Sequence, residues 1–138
     1  MMRDNIIEPG SLRLDGNTLS VKVHMPWYRA LPLSSVCDLV LDINGHAVDP
    51  QSIHWYVNGV NYKADELPPL HDHWWFVTDA AVLSGKLSDE AVAALDLDAE
   101  HAVHVGLGIY IPYIDAGAGT LLVHEGDRKN LKIEKSAA

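Results

Sequence analysis

The sequence predicts an all-β fold, an antiparallel β-sandwich with one short helix in a connection. Three observations predict it. Apolar side chains recur at every second position in several separate runs, the period of half-buried strands. Asn-Gly dipeptides close two of those runs, and this pair accepts the positive φ angles of a tight hairpin turn. A single segment has the composition and the cap of a helix. A small open barrel would satisfy the same pattern and is the competing architecture.

The first alternating run sets Leu19, Val21, Val23 and Met25 against Ser20, Lys22 and His24. In the second, Cys37, Leu39, Leu41 and Ile43 share a face, with Asp38 and Asp42 opposite and Asn44-Gly45 following. The phase makes Cys37 a small buried side chain. Ile53, Trp55 and Val57 form a third run that ends at Asn58-Gly59, and Val60 and Tyr62 carry the return. Val103, Val105, Leu107, Ile109 and Ile111 alternate with His104, Gly106, Gly108 and Tyr110. A last pair is expected over 120–124 and 131–133, joined by the polar turn Glu125-Gly126-Asp127-Arg128. Ser88 caps a helix of about two turns through Leu95, with Asp89 and Glu90 in its first turn. Pro68-Pro69 and Pro112 are expected to break what precedes them.

With 138 residues and no linker or repeat, one domain over 1–138 is expected, with a frayed tail over about 134–138. Ten basic and nineteen acidic residues give a net charge of −9. That balance argues against nucleic acid and anionic membrane surfaces, which attract clustered Lys and Arg. No apolar run approaches the roughly 18 residues of a transmembrane helix, and the start lacks the apolar core of a signal peptide. One cysteine fits a reducing compartment, so a cytoplasmic protein is expected.

Candidate chemistry is sparse. His71 and His73 would point the same way on a strand and could share a metal ion, with His24, His54 or His124 as a third ligand. Cupins open their metal motif with such a pair, but the glutamate expected a few residues on is replaced by Trp74-Trp75-Phe76-Val77-Thr78. The alternative is that both histidines occupy a loop and face solvent. Ser34-Ser35 has no recognisable partner base. Neither Gly106-Leu107-Gly108 nor Gly117-Ala118-Gly119 opens a helix, as a phosphate cradle requires. Gly106 and Gly108 instead clear one strand face, which permits close approach of another surface. Because neighbours on a strand face opposite ways, Trp74 and Trp75 cannot enter one core together. An outward Trp beside Tyr and Arg has the composition of an interface anchor or a sugar-stacking surface.

The string Trp27-Tyr28-Arg29-Ala30-Leu31-Pro32-Leu33-Ser34 carries a resemblance. With Asp4-Asn5-Ile6-Ile7 before Leu12-Arg13, the Val57-Asn58-Gly59 turn, Trp74 to Phe76, and Tyr110-Ile111-Pro112, it resembles the small β subunit of bacterial C-glycoside deglycosidases over about residues 4–113. Ala30 departs from the family pattern, which has Gly there, and the stretch over 83–98 looks longer and more helical than expected. The resemblance implies a β-sandwich subunit that carries no catalytic residue and no cofactor of its own. It implies a TIM-barrel α subunit as partner, similar to sugar-phosphate isomerases and holding a divalent metal, manganese. The substrate it implies is a 3-oxo-glycoside, whose aglycone leaves by elimination after a proton α to the ketone is removed. For the surface facing the partner or the substrate entrance it points to Tyr28 and Arg29, with Trp27, His73 and Trp74 beside them. A stand-alone metal- or carbohydrate-binding β protein is the alternative.

Overall fold

The computed structural model describes residues 6–24, 31–57, 59–67, 70, 74–75, 80–96, 98–115 and 120–134, with the side chains of 112–115 and 120 outside that description. Its strands, in chain order, begin with β1 (Arg13–Asp15), β2 (Thr18–His24), β3 (Leu31–Pro32), β4 (Val36–Ile43) and β5 (His46–Ala47). β6 (His54–Val57), β7 (Val60–Lys63), β8 (Trp74–Trp75) and β9 (Ala80–Lys86) follow, then helix α1 (Asp89–Ala93), β10 (Glu100–Asp115) and β11 (Thr120–Lys132). A five-stranded sheet has the order β1-β2-β9-β6-β7, a four-stranded sheet the order β11-β10-β4-β5, and β3 pairs with β8. All these pairings are antiparallel. Buried side chains of both larger sheets merge into one core: Leu19, Val21 and Val23 with Leu83 and Trp55 from the first, Leu41, Val105, Leu107 and Ile109 from the second. The fold is the expected all-β sandwich.

Local chemistry explains the turns. Asn44 and Gly45 take φ angles of +51° and +83°, and they reverse the chain from β4 into β5. That turn is clamped to β10 by three hydrogen bonds. Asn44 N–H donates to Ala102 O (2.8 Å), Ala102 N–H to Asn44 Oδ1 (2.9 Å), and Asn44 Nδ2 to Nδ1 of the buried His101 (2.8 Å). His101 Nε2 lies 2.7 Å from the Asp96 carbonyl, which only accepts, so Nε2 carries the ring proton and the ring is neutral. Helix α1 starts where the cap predicts it, since Ser88 Oγ accepts from Ala91 N–H at 3.1 Å.

Four expectations are corrected. β11 is one unbroken strand through 125–128, because β10 pairs with it continuously from Glu100↔Lys132 to Ile111↔Leu121. Its inward acid is satisfied where it stands: Asp127 Oδ2 accepts from Ile6 N–H (3.1 Å), Ile7 N–H (2.9 Å) and Lys129 Nζ (2.9 Å). Pro112 does not end β10, which continues to Asp115 with irregular pairing between Ile111 and Asp115. The stretch over 83–98 begins as strand, and its helical part is only Asp89–Ala93. β9 is in fact the middle of its sheet, and Gly85 is required there, because a Cβ would sit 2.5 Å from Val48 Cγ2.

The fourth correction is Cys37. Gly106 pairs with Val40 and Gly108 with Cys37, so Asp38 and Leu39 together oppose Leu107, and Asp38 adopts φ +51°. This bulge shifts the phase of β4, so Val36 turns inward in place of Cys37, which is half-buried on the outer side. Of the tail expected to fray, Glu134 is held by its N–H on Leu12 O (2.7 Å), and 135–138 lie outside the described residues.

Candidate partner interface

The aromatic segment resolves as alternation demands. Trp75 is fully buried and meets Trp55 edge-to-face, with centroids 4.9 Å apart and planes at 86°. Trp74 points the other way and keeps 44% of its surface exposed. The register Leu31↔Trp75 and Pro32↔Trp74 joins the end of the Trp27-to-Pro32 string to the Trp-rich segment. Trp27, Tyr28, Arg29, His71 and His73 themselves lie outside the described residues. From β3 the chain passes through a short turn, Leu33–Ser35, directly into Val36, which pairs with Ile109. The exposed Trp74 and the Tyr110 end of β10 are therefore linked through a few residues.

On the outward side of the four-stranded sheet, glycines clear the middle of two neighbouring strands, β10 and β11. Gly106 stands between Val40 and Gly126, and Gly108 between Cys37 and His124. A Cβ on Gly106 would meet its nearest neighbour, Val40 Cβ, at an ordinary 3.5 Å, whereas one on Gly108 would lie 2.9 Å from Cys37 Sγ. Val40 and Tyr110 are exposed on this face, at 40% and 41%. Between the polar side chains that a water-facing sheet surface carries, this one has a patch of bare backbone at Gly106, Gly108 and Gly126.

Two histidine–aspartate pairs border the floor. His104 Nδ1 donates to Asp42 Oδ2 at 3.0 Å in a half-buried setting, and His124 Nε2 lies 2.9 Å from Asp38 Oδ2 at the exposed rim. Each carboxylate fixes the proton on the ring nitrogen facing it and sets the imidazole orientation. Sequence reasoning placed His104 on this face but named neither pair. The outward phase of His104 and the cross-strand position of His124 opposite Gly108 are the signals that find them.

Cys37 is chemically quiet. Burial, then the Asp38 charge and a hydrogen bond to that carboxylate, push its thiol up to about 11. The thiolate that a nucleophile needs is scarce at neutral pH. The three histidines considered as a third metal ligand are dispersed. His24 Nε2 pairs with Glu8 Oε1 (3.1 Å), His54 Nδ1 with the Ser52 carbonyl (2.9 Å), and His124 lies on the opposite sheet. Among the described residues no three His, Cys, Asp or Glu side chains are grouped to hold an ion. No helix among them is long and apolar enough to cross a membrane.

Comparison with known proteins identifies the family. A profile of the C-glycoside deglycosidase beta subunit matches residues 6–113. The C-glycoside deglycosidase beta subunit of Microbacterium trichothecenolyticum is 47% identical over 138 residues, covering 100% of this chain and 99% of its own length. Its counterpart from Arthrobacter globiformis is 38% identical over 133 residues, covering 96% and 98%. The 3′-dehydrocarminate deglycosidase beta subunit of a Microbacterium species is 32% identical over 139 aligned positions, covering 100% of both. The chain therefore belongs to the C-glycoside deglycosidase beta subunit family.

Proposed function

We propose that this chain is the accessory, non-catalytic subunit of a cytoplasmic heteromeric lyase of carbohydrate metabolism that cleaves 3-oxo-glycosides. Its partner is a TIM-barrel α subunit similar to sugar-phosphate isomerases, which carries the catalytic groups and a divalent metal, manganese. Beta-subunit names on relatives that cover 96–100% of this chain support the existence of a partner subunit. The 3′-dehydro prefix in one relative's name denotes a sugar oxidised at carbon 3 and supports the substrate class. Elimination suits that substrate, because the ketone acidifies the neighbouring proton and the aglycone can then leave the anomeric carbon. The metal would supply Lewis-acid polarisation on the partner. This chain's residues supply contact.

The observation that carries the reading is the glycine-floored outer face over Gly106, Gly108 and Gly126, with exposed Val40 and Tyr110 on it. A backbone floor lets a second surface approach closely and desolvate its contacts. Trp74 follows His73 in sequence, and the string Trp27, Tyr28 and Arg29 leads into β3, which pairs with Trp74 and Trp75. Arg29 would pair bidentately with a carboxylate of the partner, while Tyr28 packs and donates one hydrogen bond.

Co-expression with the TIM-barrel protein, followed by size-exclusion chromatography and metal analysis, tests the proposal. The expected result is a stable complex that holds metal only when the barrel is present and converts 3-oxo-glycosides. Arg29→Glu is expected to abolish co-elution and leave the circular-dichroism spectrum unchanged. No complex, with stoichiometric metal on this chain alone, would overturn the proposal in favour of a metal site at His71 and His73.

A further inference from the structure

We infer that the outward face of the five-stranded sheet carries a cleft for the polyhydroxylated ring of a sugar, on this chain itself and independent of its partner. The cleft has a volume of about 490 Å³, inside the range of roughly 300–1,000 Å³ usual for small-molecule sites. Its concavity follows from residue size. Thr18 and Ser84, two short hydroxyl side chains on adjoining strands, occupy its floor, while Gln51, His54, Asn61 and Lys86 rise around them. Register places His54 beside Ser84 and Lys86 beside Thr18.

The wall is fixed before any ligand arrives. Asp49 N–H donates to Lys86 O (2.8 Å), Lys86 N–H to Ser52 Oγ (2.7 Å), and Ser52 Oγ to Asp49 O (2.6 Å), so the turn Pro50–Ser52 is clamped onto β9. His54 is preset as well. Its Nδ1 faces the Ser52 carbonyl at 2.9 Å and must carry the proton, which leaves Nε2 as an acceptor in the neutral ring. Such preorganisation lowers the entropic cost of binding.

Charge and chemistry select the ligand class. Lys86 and Asp49 are the two formally charged lining residues and cancel, so a phosphate would meet a carboxylate and a metal ion an ammonium. What remains is a neutral mixture of hydroxyl, amide and imidazole groups. A sugar hydroxyl donates and accepts at once and suits that mixture. Tyr56 lies on the same face opposite Asn61, with 47% of its surface exposed, and offers a ring on which a pyranose can stack.

The test is a backbone-amide NMR titration of the full-length chain with methyl β-D-glucopyranoside, with inorganic phosphate as a parallel probe. Saturable shifts centred on Thr18, His54, Asn61 and Ser84 are expected, with a Kd of about 1–10 mM. Ser84→Trp, which fills the floor, is expected to remove them while the signals of the four-stranded sheet stay in place. His54→Ala leaves the floor intact and is expected to weaken binding about tenfold. Absence of saturable shifts, shifts confined to other residues, or stronger shifts with phosphate at the same amides would each overturn the inference.

Discussion

The outer faces of the two sheets differ where their inner faces agree. Inward, both present the same alternating aliphatic side chains to one core. Outward, the five-stranded sheet carries Ser20, Lys22, Ser84, His54, Tyr56 and Asn61, a polar surface made for water and small polar ligands. The four-stranded sheet carries Gly106, Gly108, Gly126, Val40 and Cys37 in the same structural role. The inner pattern is set by folding, which any sandwich needs. The outer pattern is free of that demand and so reports what each face meets.

Single substitutions sharpen this contrast. The largest effect is expected from Gly106→Arg. Its Cβ has ordinary room at 3.5 Å from Val40, so the isolated fold is retained, but the guanidinium stands on the proposed docking floor. Binding of the partner, measured by calorimetry, should weaken at least about 100-fold, while Ser84→Arg on the other sheet leaves it unchanged. Gly85→Val should do the reverse. Its Cβ collides with Val48 inside the core, so chemical denaturation should show a loss of about 1–3 kcal/mol, with the docking face intact. Asp127→Ala strands two amide donors and removes the ion pair with Lys129 Nζ, and a similar loss of about 1–3 kcal/mol is expected. The smallest effect concerns Cys37. With the thiol raised from 9.0 to about 11, folding favours its neutral form, so its stabilising contribution is complete below pH 9 and disappears as pH rises through 11. Iodoacetamide at pH 8 should accordingly label folded Cys37 about 100-fold more slowly than the unfolded chain.

The strands that alternate cleanly were legible in the sequence, and so was the capped helix. β9 was not, because Ala80-Ala81-Val82-Leu83-Ser84-Gly85 is poor in β-branched and aromatic residues and becomes a strand through the two neighbours that flank it. Cys37 was misread because a bulge at Asp38 changes the phase, and periodicity is blind to one extra residue. The continuity of β11 was hidden by an inward carboxylate whose partners, the amides of Ile6 and Ile7, come from the other end of the chain. Of the candidate interface, the opposed directions of Trp74 and Trp75 and the bare strand at Gly106 and Gly108 followed from alternation alone. The pairs His104–Asp42 and His124–Asp38 did not, since they join strands far apart in sequence.

The clasp between Asp127 and the amides of Ile6 and Ile7 has a consequence for biosynthesis. Its partners are separated by 121 and 120 positions, nearly the length of the chain. On the ribosome the apolar residues around Ile6 and Ile7 emerge early and wait, exposed, for an acid translated 121 and 120 positions later. Closing so long a loop is slow, and unsatisfied edges attract other chains in the meantime. The nascent chain thus completes its sandwich only once Asp127 has left the ribosome, and until then its early strands stand open to whatever else is being folded nearby.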